Sequence, residues 1–299
     1  MVGTRVSLRY RLPVGSVPPL TDVVGHLLDT GPVVRVRAKD GAVVEIAAQD
    51  IVTVRPLTDV PVRTSQIRAL EHAAALAWPG TESQWIDGWL VRGANGYTRR
   101  ANSAVPLGIE ASVVAVPAIV DWYARRGQTP WLAVPDRLLT LRGTYSPHFE
   151  TVVMVRDLPA GERDAATTLA PLPHETWLRV YERDVPVDVL SAVLDGVVAF
   201  ATRGDAAVGR AAVTTAPNGT RWAGVSAVRV AETRRREGHA LALCSALLAW
   251  ASEQHARHCY VQVLVDNAPA IALYERLGFT AQHRSRYLDG AQLTSNLHP

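Results

Sequence analysis

The chain has 299 residues, 48% of them hydrophobic and 20% charged, with a formal net charge of +3 and Lys39 as its only lysine. This length is enough for about two domains with apolar cores, and the small net charge excludes a strongly basic nucleic-acid-binding class, so nucleic-acid binding is not expected. No apolar run reaches the roughly 18 residues of a membrane helix and no signal-peptide pattern opens the chain, so a cytoplasmic protein without membrane association is expected. Two cysteines, Cys244 and Cys259, exclude a disulfide framework; their apolar surroundings predict buried free thiols, and the scattered histidines make no case for a metal site.

Residues 1–58 read as a small β module. Short β-branched runs at 5–10, 33–37, 43–46 and 51–55 are broken by Pro13-Val14-Gly15 and Asp40-Gly41, and about five short strands in this length predict a small barrel. The pattern resembles a Tudor-type barrel. Tyr10 is its only aromatic residue, so an aromatic cage is not expected and the module reads as structural or oligomerising. Residues 58–64, with Pro61, read as the linker.

The middle region, 65–157, predicts a helix at 67–78, a hairpin of 85–92 and 97–105 around Ala94-Asn95-Gly96, a helix at 113–126, and strands at 131–134 and 151–155. Thr98, Arg100 and Asn102 would share one face of the second hairpin strand, preceded by Glu82, Asp87 and Arg92, and would offer a polar wall for a pocket.

The C-terminal region, 169–299, carries the most informative patterns. Val225, Val228 and Val230 suit a strand and residues 241–250 suit a helix, so Arg235-Arg236-Glu237-Gly238-His239-Ala240 is a strand-to-helix turn. The first amides of a helix lack intrahelical partners and carry partial positive charge. Gly238 and Ala240 are small enough to let an anion approach them, and Arg235 and Arg236 add donors that match phosphate oxygens. After a second strand at 260–265, Asn267 stands at a helix cap with Pro269 in the first turn. Ile271, Tyr274 and Leu277 follow at helical spacing, Gly278 is the C-cap, and a new strand starts at Phe279.

Together these segments resemble the GNAT superfamily of acyl-CoA N-acyltransferases. Arg235, Gly238 and Ala240 meet the family's Gln/Arg-x-x-Gly-x-Gly/Ala loop, and Asn267, Ala270, Leu273, Tyr274, Leu277, Gly278 and Phe279 meet its later Asn-x-x-Ala-x-x-Leu-Tyr and Leu-Gly-Phe pattern. The resemblance implies an α/β fold with a mixed central sheet and flanking helices, beside the small all-β barrel, with acetyl-CoA as co-substrate. It implies that the backbone of Val228, Arg229 and Val230 pairs with the pantetheine arm. The loop amides of Arg235, Arg236, Glu237, Gly238, His239 and Ala240 would hold the pyrophosphate, Asn267 would contact the pantetheine arm, and Tyr274 would protonate the departing thiolate. Glu237 and His239 depart from the family's usual loop residues, and Glu237 would place a carboxylate near phosphate. The middle region resembles a degenerate GNAT half, as in tandem members; Pro106-Leu107-Gly108-Ile109-Glu110 stands where a cofactor loop would be, so only the C-terminal half is expected to bind cofactor.

A thioester attacked by an amine needs an N–H donor for the developing oxyanion, for which the backbone near Val230 is a candidate. The leaving thiol has a pKa of roughly 8.5, which makes the phenol of Tyr274 a plausible proton source. Glu232 is the nearest carboxylate in sequence, at a turn position, and no base is assigned. The expected activity is acetyl transfer to a primary amine, either a protein lysine on a histone-type basic tail or a small-molecule or amino-acid amine. A non-catalytic CoA-binding sensor or scaffold is the alternative from another class. Oligomeric state is left open.

Overall fold

Val6 and Leu8 alternate with Ser7 and Arg9, and this period of two builds the first strand of an antiparallel sheet. The computed structural model describes residues 2–57, 62–141, 146–158 and 166–295. The chain divides into two units, Met1–Val62 and Arg63–Pro299. The first holds β1 (Arg5–Arg11), β2 (Leu20–Thr30), β3 (Val33–Ala38), β4 (Val43–Ala47) and β5 (Ile51–Pro56) in the order β4-β3-β2-β1-β5. Val6, Leu8, Val23, Leu27, Val34, Val36 and Ile46 form its core. The longest strand of this unit, β2, lies outside the predicted runs; Asp22, Val24 and His26 face outward on it, and Gly25 interrupts the apolar alternation. A Cβ on Gly25 would lie 2.0 Å from the Arg37 carbonyl oxygen. Gly25→Ala is therefore expected to destabilise this unit by about 1–3 kcal/mol. Faster amide exchange in β1 to β4, with residues of the second unit unchanged, is the measurement. Residues 58–61 of the expected linker lie outside the described residues.

The second unit opens with α1 (Thr64–Leu76), whose alanine-rich face buries Ile67, Leu70, Glu71, Ala73 and Ala74. A hairpin of β6 (Glu82–Ile86) and β7 (Trp89–Gly93) follows, and β8 (Val105–Pro106) pairs with β7. The hairpin turn is Asp87-Gly88, both at positive φ, as a two-residue primed turn requires. This corrects the expectation of a hairpin around Ala94-Asn95-Gly96 with a strand at 97–105. Asn102 Oδ1 accepts from the amides of Ala94 and Gly96 at 2.7 and 2.9 Å, which removes two donors from any ladder, and Arg99–Ala101 form a 3-10 turn. Thr98, Arg100 and Asn102 therefore do not share a strand face.

The chain continues through α2 (Val116–Ala124), β9 (Trp131–Pro135), β10 (Phe149–Asp157), β11 (Thr168–Ala170), α3 (Glu175–Tyr181) and α4 (Val187–Ser191). Then come β12 (Gly196–Arg203), β13 (Ala207–Thr215), β14 (Arg221–Val230), α5 (His239–Glu253), β15 (His258–Leu264), α6 (Ala268–Arg276), β16 (Thr280–Asp289) and α7 (Gly290–Ser295). One eight-stranded sheet runs in the order β11-β12-β13-β14-β15-β10-β16-β9. β10 lies between β15 and β16, so the middle region supplies strands to the same sheet as the C-terminal region. All neighbours in it are antiparallel except β14 and β15. One face is covered by α5 and α6 through a core that includes Met154, Val225, Leu243, Leu247, Val261 and Tyr274. The other carries α1, through Leu70, Ala73, Val153, Trp222 and Tyr260, and α3, through Trp177, Phe200 and Val208. Among the described residues no helix is long and apolar enough to cross a membrane.

Candidate active site

β14 and β15 pair in parallel only from Trp222↔His258 to Gly224↔Tyr260. Beyond Gly224 the two strands share no ladder, although β14 continues to Val230. The cause is local to β14. Its register with β13 shifts between Val208 and Arg210, and Ala227 adopts φ +53, a left-handed conformation that costs an alanine about 1–2 kcal/mol. Such a bulge bends and twists its strand away from a neighbour and stores strain that functional sites tolerate. Past Val225, whose backbone contacts Cys259, no ladder joins β14 to β15. Val228 and Val230 pack toward α5, and Arg229 forms an ion pair with Glu182.

The loop after β14 ends at an open helix start. Arg236 and Gly238 have φ +68 and +83, and Gly238 is the N-cap of α5 with no side-chain cap. The helical ladder begins at Ala242, which bonds to the Gly238 carbonyl, so the amides of His239, Ala240 and Leu241 have no intrahelical acceptor. A Cβ on Gly238 would meet nothing within 4 Å, so the approach to these donors is clear.

Glu237 does not point free charge at this cradle. Its carboxylate lies 3.0 Å from both Arg234 Nε and His239 Nε2, and these two partners, His239 first, hold it below the usual carboxylate range. Guanidinium nitrogens flank both ring nitrogens of His239, Arg203 Nε at 3.3 Å from Nδ1 and Arg234 Nη2 at 3.2 Å from Nε2. Arg235 is paired with the exposed Glu232 at 3.1 Å, which makes Glu232 a loop ion pair. Arg236 is exposed beside the helix start.

Asn267 caps α6: its Oδ1 accepts from the Ala270 amide at 3.2 Å. About two turns further, Tyr274 is 7% exposed and packs edge-on against Phe279, with ring centroids 5.6 Å apart. Its hydroxyl hydrogen-bonds to no described residue. Burial, with a smaller contribution from the nearby Cys244, raises its pKa, so at neutral pH it is a protonated donor. Burial also pushes the Cys244 thiol up to about 12 and raises that of Cys259, so both free thiols are poor nucleophiles.

The α1 face of the opening contains groups that sequence reasoning missed or misplaced. Of the expected polar wall, only Arg100 reaches the sheet: it donates from Nε to Gln262 Oε1 at 3.2 Å and from Nη2 to the Gln262 carbonyl at 2.9 Å. Arg92 is buried and donates to the carbonyls of Trp78 and Ser103 and to Ser103 Oγ, while Glu82 pairs with Arg126. Trp222 is buried and stacks on His258 at 4.8 Å. Glu71 and His283 form a buried pair at 2.7 Å; the only hint in the sequence was one carboxylate inside an alanine-rich helix. Tyr260 leans over Gly224 so closely that a Cβ there would lie 2.2 Å from its hydroxyl. Among the described residues no three His, Cys, Asp or Glu side chains cluster as metal ligands.

A mixed sheet that opens between two parallel strands beside an uncapped glycine helix start, with a buried tyrosine about two turns into the next helix, defines a GNAT-type N-acetyltransferase. The chain belongs to the family whose model is described as the C-terminal part of the probable histone acetyltransferase Rv0428c, which matches residues 64–288. Residues 1–55 match the model of the Rv0428c N-terminal Sm-like domain, so the small antiparallel β module expected from the strand pattern is present and carries the Sm-like name. The chain is 50% identical to the "Probable histone acetyltransferase Rv0428c" of Mycobacterium tuberculosis over 288 residues, 96% of this chain and 95% of the relative. It is 22% identical to the "Uncharacterized N-acetyltransferase YobR" of Bacillus subtilis, over 74% of this chain and 97% of that one. A solved GCN5-related N-acetyltransferase from Kribbella flavida shares the fold, with a TM-score of 0.51 and 15% identity over 73% of this chain and 95% of that chain. Membership in this family implies use of an acyl-CoA and an amine acceptor.

Proposed function

We propose that this protein transfers the acetyl group of acetyl-CoA to a primary amine in the cytoplasm, and that the β14/β15 opening and the α5 N-terminus form the cofactor site. The observation that carries the reading is the parallel ladder that ends at Gly224↔Tyr260 and leaves the backbone of Val228, Arg229 and Val230 unpaired toward β15. These groups suit the amides of a pantetheine arm. The amides of His239 and Ala240, with Arg235 and Arg236, suit a pyrophosphate. Asn267 retains side-chain donors beyond its capping bond.

Acetyl-CoA supplies a thioester: the amine nitrogen bonds to its carbonyl carbon as the C–S bond breaks. Tyr274 donates its proton to the thiolate, and the amine proton passes to water. An unpaired β14 amide offers a preorganised donor for the negative charge that develops on the acyl oxygen. The middle region lacks a loop of this kind and is assigned to completing the sheet and walling the acceptor side. The relative's name points to a lysine on a basic protein tail as acceptor, and a small-molecule amine is the second class.

A thermal-unfolding scan with and without acetyl-CoA, on wild type and Gly238→Glu, tests the reading. At about 100 times its dissociation constant a ligand adds roughly 2.7 kcal/mol, a rise in Tm of about 5–10 °C. Wild type is expected to show this rise and Gly238→Glu to lose it, because the new carboxylate occupies the anion cradle. Gly238→Ala controls for the left-handed backbone. Equal rises in wild type and Gly238→Glu would remove the cofactor from this loop.

A further inference from the structure

Where β14 and β15 part, the α1-facing side chain on the β15 wall is Gln262, and Arg100 is fixed on it through two hydrogen bonds. Those bonds use Nε and Nη2; Nη1 has no hydrogen-bond partner among the described residues. Next to it, Arg99 lies over the Phe149 ring at 3.4 Å. Deeper on the same face, Arg92 and Arg210 are buried with carbonyl and hydroxyl partners and no carboxylate: Arg210 donates to the carbonyls of Ala77, Leu190 and Ala192. Burial lowers the pKa of both guanidinium groups, that of Arg210 to about 10.

Glu71, the carboxylate that lines this face beside Arg100, is already paired with His283. A crevice of about 10 Å³ under Arg100, lined also by Glu71, Arg92, Gln262, Ser285 and Tyr287, is closed to anything larger than about one water. An acceptor therefore meets Arg100 at the mouth. Arg99 and Arg100 at the mouth, with Arg92 and Arg210 behind them and Glu71 paired, give this mouth a positive field, which repels a basic tail and draws in an anion. The planar fork of Arg100 matches a carboxylate. The same field disfavours the ammonium form of a nearby amine and so helps to expose its lone pair without a dedicated base.

We propose that the acceptor is a small primary amine that bears a carboxylate, of the amino-acid class, and that Arg100 is the residue that recognises this carboxylate. The proposal rests on the acetyl-transfer reading above. Rates with acetyl-CoA are compared within pairs that differ only by the carboxylate, such as tyrosine with tyramine and lysine with cadaverine. The remaining free amino acids and a lysine-rich peptide complete the panel, each run on wild type, Arg100→Met and Arg100→Lys, with the Tm of each protein measured with and without acetyl-CoA.

Wild type is expected to favour the carboxylate-bearing member by about 10- to 100-fold in kcat/KM, the scale of one charge-assisted hydrogen-bonded pair. In Arg100→Met that ratio should fall to near one, mainly through KM, and Arg100→Lys should fall between because it keeps the charge and loses the fork. All three proteins should show the Tm rise. Equal kcat/KM within pairs, a preference for the lysine-rich peptide, a ratio unchanged in Arg100→Met, or no turnover of any carboxylate-bearing amine by protein that shows the rise would overturn this proposal alone. Absence of the rise in wild type would overturn the acetyl-transfer reading and this proposal with it.

Discussion

Tyr274→Phe is expected to keep acetyl-CoA binding within about twofold and to lower kcat by about two to four orders of magnitude, the range associated with a positioned proton donor. The ring belongs to the core between α5, α6 and the sheet and stacks on Phe279, so phenylalanine fills the same space. Only the hydroxyl is lost, and it has no hydrogen-bond partner among the described residues, so the Tm should stay within about 1 °C. Burial raises the phenol pKa above its ordinary value near 10, which means that the group stays protonated through neutral pH and into the alkaline range. An alkaline loss of rate below about pH 9 should therefore not come from Tyr274. Lost acetyl-CoA binding in the variant would make the tyrosine a structural residue. Unchanged turnover would take it out of the chemistry.

Glu71→Ala should cost about 3–5 kcal/mol in urea denaturation, the scale of breaking a buried pair from one side. Glu71 and His283 are separated by 212 positions, are 4% and 1% exposed at their side chains, and join α1 to β16 across the face that carries Arg100. Removing the carboxylate leaves the imidazole buried with one nitrogen unsatisfied. α1 has other ties, Thr214 Oγ1 to the Ala73 carbonyl at 2.8 Å and the Leu194 amide to the Leu76 carbonyl at 2.9 Å, so the helix should remain docked and the loss should appear as stability rather than unfolding. A double-mutant cycle with His283→Ala separates the pair from its cavities; a coupling below about 0.5 kcal/mol would mean that the two side chains contribute independently.

The cofactor loop and the Asn267–Phe279 segment were legible because their physics is local. A small glycine before a helix, an asparagine cap and a glycine C-cap each act within a few residues and stand where the pattern put them; the left-handed φ of Gly238 is added by the structure. The hairpin was misplaced although its signal was present: Asp87-Gly88 supplies two positive-φ positions between paired strands, while the similar Asn95-Gly96 turn is captured by Asn102. The polar wall failed with it, since Thr98 and Asn102 serve the turn and only Arg100 projects to the sheet. Glu237, which the sequence set beside phosphate, is neutralised by two neighbours whose side-chain directions no spacing reveals.

The sequence by itself determined the class of the protein, the small β module at its start and the turn and caps around the candidate cofactor loop, because caps, turns and strand periods are set by neighbours along the chain. Only the tertiary structure decided that β10 enters between β15 and β16, that the ladder of β14 with β15 ends at Gly224, that Glu71 meets His283, and that Arg100 is held on Gln262. Each of these joins residues far apart in the chain. Contacts of that kind are chosen by sheet register and by the burial of whole faces, which no local pattern encodes.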